Sequence, residues 1–251
     1  KADTLLEQPL SSPAAVQLAL VNSPSFQALL AGHWAQAAEA AQSGRLANPV
    51  FTYERIRLLD ELEIGRMLSA GLVDLLTFPR RQDAARARLE AVEVRLTRDV
   101  VREVTEVRHA WVQALAARER LGYARQVFEA AEASAELARR MQAAGNFTTV
   151  QRVRQQSFYA EAASQLAAAR HAATAGREEL VRRLGLGASQ VFRLKLPERL
   201  PDPPPEPRAP KTVGDAARAG NLDVRLAEAE LRAAAEAQGL GRITSLLDVE
   251  G

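Results

Sequence analysis

The side chains in this sequence best suited to metal ligation or proton transfer are three histidines, His33, His109 and His171, and they stand far apart. No HExxH or comparable pair sets two of them on one helix face, so each reads as a packed or solvated imidazole and not as a ligand. The carboxylates between Asp83 and Glu106, and the pair Glu178-Glu179, are strung along helical stretches that bring no two into an acid and base pair. Gly185-Leu186-Gly187 has no parallel βαβ unit around it and is not a dinucleotide fingerprint. Cysteine is absent from the 251 residues, which removes disulfides, thiolate metal sites and cysteine nucleophiles together. These residue types support no enzyme, and neither cofactor nor metal is expected.

What remains is the chemistry of surfaces, and composition says which elements carry it. Aromatic residues make up only 5% of the chain, and Ala, Arg, Glu, Gln and Leu dominate. That is the profile of long helices with thin seams, not of a compact globule filled with large side chains. Lys plus Arg number 33 against 31 Asp plus Glu, interspersed along the helical stretches as on a solvated helix face, so no nucleic-acid partner is expected. No run of about 18 apolar residues is present to form a membrane-spanning helix. Any membrane contact must be made by strands.

The sequence nearly repeats itself. Residues 38–46, AEAAQSGRL, return as residues 235–243, AEAQGLGRI, each copy ending an Ala-rich helical run and opening a strand-like one. Two copies of one supersecondary unit are expected, the second incomplete at Gly251. In the first copy a short helix starts after Ser12 with Pro13 in its first turn, and Asn22-Ser23-Pro24 interrupts it. A second helix follows to Ser43 and is stopped by Gly44, Asn48 and Pro49, which closes an N-terminal helical region over residues 1–49. From Val50 the residues turn β-branched and aromatic, and a β-hairpin is predicted over about residues 50–73 within a β region of residues 50–79 that Pro79 closes. Leu59-Asp60-Glu61 serves as its connection. The apolar phase slips between Tyr53 and Ile56, which predicts a bulge.

Gln82 to about Ala144 holds no proline and one glycine. Val100, Val104, Val107, Trp111, Ala114, Leu121, Phe128, Ala131, Ala135 and Ala138 recur at three, four or seven, with Arg118 breaking the seam. A helix of that length spans roughly 95 Å at about 1.5 Å per residue. Ala144 to Thr148 turn the chain, and a shorter return helix runs from about Thr149 to Leu184, giving a long helical hairpin over residues 80–196. Residues 197–211 are a stiff proline-rich connector. Residues 212–251 begin the second copy: a helix from about Val213, a break near Gly220-Asn221, an Ala-rich helix to Gly239, and an incipient strand from Ile243 to Glu250.

This order of elements resembles the TolC-like outer-membrane efflux protein family. The residues that carry the resemblance are Ala14, Val16, Ala19 and Leu20 before Asn22-Ser23-Pro24, then Gly44-Arg45-Leu46-Ala47-Asn48-Pro49 ahead of the first strand. Leu137-Ala138-Arg139-Arg140-Met141 with Ala144-Gly145 and Thr148 at the tip complete it. The fold it implies is mainly α: a long antiparallel helical hairpin as an α-barrel stave plus a membrane β-hairpin, in two structural repeats of which the second is incomplete. It further implies a homotrimer whose chains contribute four strands apiece to a closed outer-membrane barrel. Such a barrel leaves no unpaired edge in lipid. It continues into a helical tunnel through the periplasm. Two strands per chain are too few for that barrel, so a longer chain is expected, by roughly 145 residues on the length of the first copy. Any lipidated cysteine is expected upstream of Lys1.

The function implied is that of a passive conduit, with no catalytic residue, for solutes delivered by an inner-membrane transporter through a periplasmic adaptor. Met141, Gly145, Asn146, Phe147 and Thr148 are the candidate adaptor-contact tip. The family's tip carries an acidic or small polar residue after the turn, where this chain has Val150-Gln151. Phe51, Tyr53, Ile56, Leu62, Ile64 and Leu68 are the candidate lipid-facing or aromatic-girdle positions of the hairpin, and Arg80, Arg81, Arg86 and Arg88 can meet lipid headgroups beside it. The alternative is a soluble coiled-coil scaffold that binds partner helices, with the hairpin as a packing clasp. An adaptor-type protein would need a lipoyl-like β domain, which is not visible in the sequence.

Overall fold

A computed structural model of the chain describes residues 2–46, 48, 50–58, 61–69, 72–203, 206 and 209–247. In chain order the elements are α1 (Ala2–Leu5), α2 (Ser12–Asn22), α3 (Pro24–Ser43), β1 (Val50–Leu58), β2 (Glu61–Ser69), α4 (Leu72–Ala143) and α5 (Thr149–Leu184). Then come α6 (Ala188–Val191), α7 (Pro210–Gly220) and α8 (Leu222–Leu247). They fall into two compact units, to both of which α3 and α4 contribute. No single described helix is long and apolar enough to cross a membrane, which says nothing of a β-barrel.

The first unit joins residues 1–28 to residues 101–207. Its core is a cluster in which Leu6, Leu10 and Leu18 meet Val107, Trp111 and Leu115 of α4 and Leu180 and Leu184 of α5. Trp111 Nε1 donates to the Leu10 carbonyl at 2.8 Å, so the one large aromatic of this core has its polar atom satisfied. Toward the tip the seam thins to Ala131 and Ala138 on α4 and Ala162 and Leu166 on α5, all buried. Small side chains let the two helices approach closely. A Cβ on Gly176 would sit 3.3 Å from the Ala114 Cα.

Both ends of α5 are fixed by local chemistry. Gly185 closes its C-terminus in the left-handed conformation, φ 65°, with Leu186 N–H donating to the Val181 carbonyl. The break at Asn22-Ser23-Pro24 does more than stop α2. Asn22 Nδ2 donates to the Leu184 and Gly185 carbonyls at 3.2 and 2.8 Å, satisfying acceptors left over at the helix end. Arg118, read from the sequence as a break in the seam, is a clamp: its guanidinium donates to the Leu196 and Pro197 carbonyls. Arg177 does the same for the Val191 and Leu194 carbonyls.

The second unit joins residues 29–100 to residues 208–251. His33 of α3 is buried and its Nε2 lies 3.0 Å from Asp99 Oδ2 on α4, while Arg98 holds the other oxygen of that carboxylate at 2.8 Å. α8 is tied to α4 by ion pairs, Glu230 to Arg95 and Arg232 to Glu90. Gly44, which ends α3, leaves no room for a side chain, since a Cβ there would stand 2.7 Å from the Ala85 Cβ.

β1 and β2 form a two-stranded antiparallel hairpin with an unbroken register from Val50 opposite Ser69 to Leu58 opposite Glu61. The register corrects the expected bulge: the phase slip between Tyr53 and Ile56 exists because both faces carry apolar residues, so no extra residue is needed. Glu61 is paired and is not part of the connection. Residues 59 and 60, which were assigned to it, lie outside the described residues. α4 begins at Leu72, ahead of Pro79 and not after it. Proline forfeits one hydrogen bond to the residue four earlier, a loss that a helix of this length absorbs.

The expected strand from Ile243 is also corrected. α8 continues as helix to Leu247, through Gly239 and Gly241, and residues 248–251 lie outside the described residues. A helix satisfies its backbone bonds from within, whereas a strand needs a neighbour to pair with. β1 and β2 are paired with each other.

Candidate functional site

The tip between α4 and α5 is a compact, fully capped turn. Gly145 adopts φ 80°, Gly145 N–H donates to the Gln142 carbonyl at 3.0 Å, and Asn146 N–H donates to the Met141 carbonyl at 2.8 Å. This pair of bonds closes α4 as a left-handed glycine cap. On the other side Thr148 and Gln151 form a capping box: Gln151 N–H donates to Thr148 Oγ1 at 3.2 Å, and Thr148 N–H donates to Gln151 Oε1 at 2.8 Å. Gln142 Nε2 bridges the two helices through Thr149 Oγ1 at 3.2 Å.

Of the five residues singled out at the tip, Gly145, Asn146 and Thr148 are exposed, and Met141 and Phe147 are half-buried. Beyond those five, apolar side chains of the tip stand in the open, and sequence reasoning did not count them among the contact candidates. Leu137 is 58% exposed and Val150 61%, with Val153 and Phe158 nearly as open, and positions 150, 153, 154, 157 and 158 share one face of α5. It also missed an ion triplet. Glu136 Oε1 and Oε2 accept from Arg139, and Oε1 accepts from Arg140, all at 2.8 Å. The hydrogen bonds from Arg139 and then Arg140 hold its carboxyl down at about 2. The signal was present as a Glu followed at three and four by Arg. Between Leu137 and Ala160 the tip has four arginines and no carboxylate.

The hairpin separates its residues by register. Phe51, Tyr53 and Ile64 are exposed, and positions 62 and 68 have the same parity, so five of the six singled-out positions share one face. Ile56, opposite Glu63, has the other parity and is removed from that face. The side chains of Ile56, Leu62 and Leu68 themselves lie outside the described residues. Parity also sorts charge: positions Arg55, Arg57 and Arg66 fall with the aromatics, and positions Glu54, Glu61 and Glu63 fall opposite them. Among the described residues no three His, Asp or Glu side chains are grouped to hold a metal ion. His109 lies 3.2 Å from the Gln113 amide and His171 is exposed.

Compared with known proteins, the chain matches no family model and no curated protein. Solved structures match it over nearly all its length. CusC, studied for the changes that accompany folding and transmembrane channel formation, superposes with a TM-score of 0.69 at 16% identity, covering 93% of this chain and 56% of its own. The outer-membrane channel OprN gives 0.68 at 20% identity, covering 91% and 54%. The chain has the TolC-like fold. The outer membrane protein VceC from Vibrio cholerae gives 0.65 at 16% identity, covering 92% and 58%. The chain therefore spans a little over half the length of the solved structures it resembles.

Proposed function

We propose that the chain is part of a subunit of an outer-membrane channel, a passive conduit of a tripartite efflux or secretion system. The observation that carries this reading is the pairing of an isolated, fully registered hairpin with a helical hairpin of great length, in a fold shared with outer-membrane channels. Two strands alone are marginal in water, and a hairpin exposing Phe51, Tyr53, Ile64 and Met67 needs neighbours. A closed multi-chain barrel in lipid provides both partner strands and an apolar surrounding. The thin Ala seam of α4 and α5 suits helices arranged as staves around a hollow, because it lets backbones approach without filling a solid core.

On this reading the functional unit is a homotrimer of the complete protein, seated in the bacterial outer membrane and extending into the periplasm. The capped tip at Met141 to Thr148 meets a periplasmic adaptor, which links the channel to an inner-membrane transporter. The hairpin meets outer-membrane lipid. No bond is made or broken by the protein, so it is not an enzyme. The test is reconstitution of the complete protein into planar bilayers: stable single-channel steps from a trimeric preparation support the conduit. A monomer that floats free of membranes and gives no conductance removes it.

A further inference from the structure

Away from the tip and the hairpin, an open groove of about 500 Å³ in the first unit is lined by arginines from both long helices: Arg118 and Arg125 on α4 and Arg170 on α5, all three exposed, and the half-buried Arg177 on α5. Each pair stands seven residues apart, two helical turns or about 10.5 Å on one face. Ala114 and Leu121 contribute an apolar floor, and no carboxylate lines the space. Four like charges around one hollow repel unless something neutralises them. Two of the four guanidiniums are already fixed, because Arg118 and Arg177 are tied to the Leu196 and Leu194 carbonyls after α5. Carbonyls accept their hydrogen bonds without cancelling their charge. The guanidiniums of Arg125 and Arg170 have no hydrogen-bond or ion-pair partner among the described residues, and the one side-chain bond at Arg170 is made by its carbonyl, which accepts from Thr174 Oγ1 at 3.1 Å. Their five-donor planar forks match tetrahedral oxyanions in geometry as well as charge. Glu119, beside the wall, is engaged by the Leu200 amide.

We infer that this groove is an oxyanion site for a phosphate-bearing molecule, gripped by Arg125 and Arg170 against a frame set by Arg118 and Arg177. The inference goes beyond the conduit reading and does not depend on it. Fixed arginines lower the ordering cost of binding, and a diphosphate, whose charge extends further along the two-turn spread, is favoured over a monophosphate.

The test uses the full chain at constant ionic strength with inorganic phosphate, glycerol 3-phosphate and pyrophosphate as probes, read by calorimetric titration and by thermal melting. Expected are saturable binding of pyrophosphate at one site per chain and an Arg125→Gln/Arg170→Gln variant weaker by about 10-fold or more. Bound anion should also raise the melting temperature of the native chain but not of the variant. Without anion the variant should melt at or above the native temperature, since a like-charge repulsion is relieved. Glycerol 3-phosphate binding as well as or better than inorganic phosphate indicates an ester or headgroup source, and the reverse indicates the free ion. Binding that does not saturate, or that the double variant retains, overturns the site. So does an unliganded variant that melts lower.

Discussion

Gly185→Ala and Gly145→Ala form a matched pair that isolates what close packing adds to a left-handed backbone. Both glycines have positive φ, 65° and 80°, and both close a long helix. Any residue with a Cβ loses about 1–2 kcal/mol in that conformation. At Gly145 nothing lies within 4 Å of the position a Cβ would take. At Gly185 the same atom would meet Pro24 Cδ at 2.6 Å, the Asn22 carbonyl oxygen at 2.7 Å and Ser23 Cα at 2.8 Å, two of them backbone atoms. Forcing a methyl into filled space adds about 1–3 kcal/mol. Gly185→Ala should therefore cost about 2–5 kcal/mol and Gly145→Ala about 1–2 kcal/mol. Urea unfolding of the full chain, followed by far-ultraviolet circular dichroism, gives both values. Equal losses would refute the claim that α2, its break and the end of α5 are packed as one piece.

Asn22→Ala removes both hydrogen bonds to the end of α5 and should lower unfolding stability by about 1–2 kcal/mol in the same assay. Trp111→Phe keeps most of the ring but loses the bond to the Leu10 carbonyl, for about 1–2 kcal/mol. The Glu136 carboxyl should titrate near 2 and not near its ordinary 4.5 by carbon-13 nuclear magnetic resonance. Because its folded value is depressed, its stabilising contribution is present above the unfolded value and is lost as pH falls from about 4.5 toward 2. Arg139→Gln/Arg140→Gln should return the midpoint toward 4.5, and an unchanged midpoint would show that the triplet does not form in solution.

What could be read from residues alone was whatever local chemistry fixes. The ends of α5 were legible because Thr148 and Gln151 spell a capping box and Gly185 a left-handed stop. Asn22-Ser23-Pro24 likewise marked a true break. The start of α4 was hidden because Pro79 is a strong local stop signal, yet one missing hydrogen bond is a small loss to so long a helix. The hairpin's register was obscured for the opposite reason: apolar residues on both faces erase the simple alternation that a half-buried strand shows. The phase slip between Tyr53 and Ile56 is visible in the sequence, but only the pairing of Ile56 with Glu63 shows that it is a change of face and not a bulge. Arg118 looked like a fault in the seam because its partners, the carbonyls of Leu196 and Pro197, lie some 80 residues away along the chain. Ile243 to Leu247 kept strand-like residues but not strand structure, since pairing is a property of two segments and not of one.

The claim that most depends on measurement is that β1 and β2 are sheet within a membrane barrel. These 251 residues contain no cysteine, so single cysteines placed in turn at positions 50–58 of the complete protein, in its native membrane and with any cysteine outside these residues replaced, report without background. Labelling by a water-soluble maleimide should alternate with a period of two, positions 51 and 53 protected by lipid and 52 and 54 reactive. Uniform labelling along the strand, or a helical period, would contradict the account.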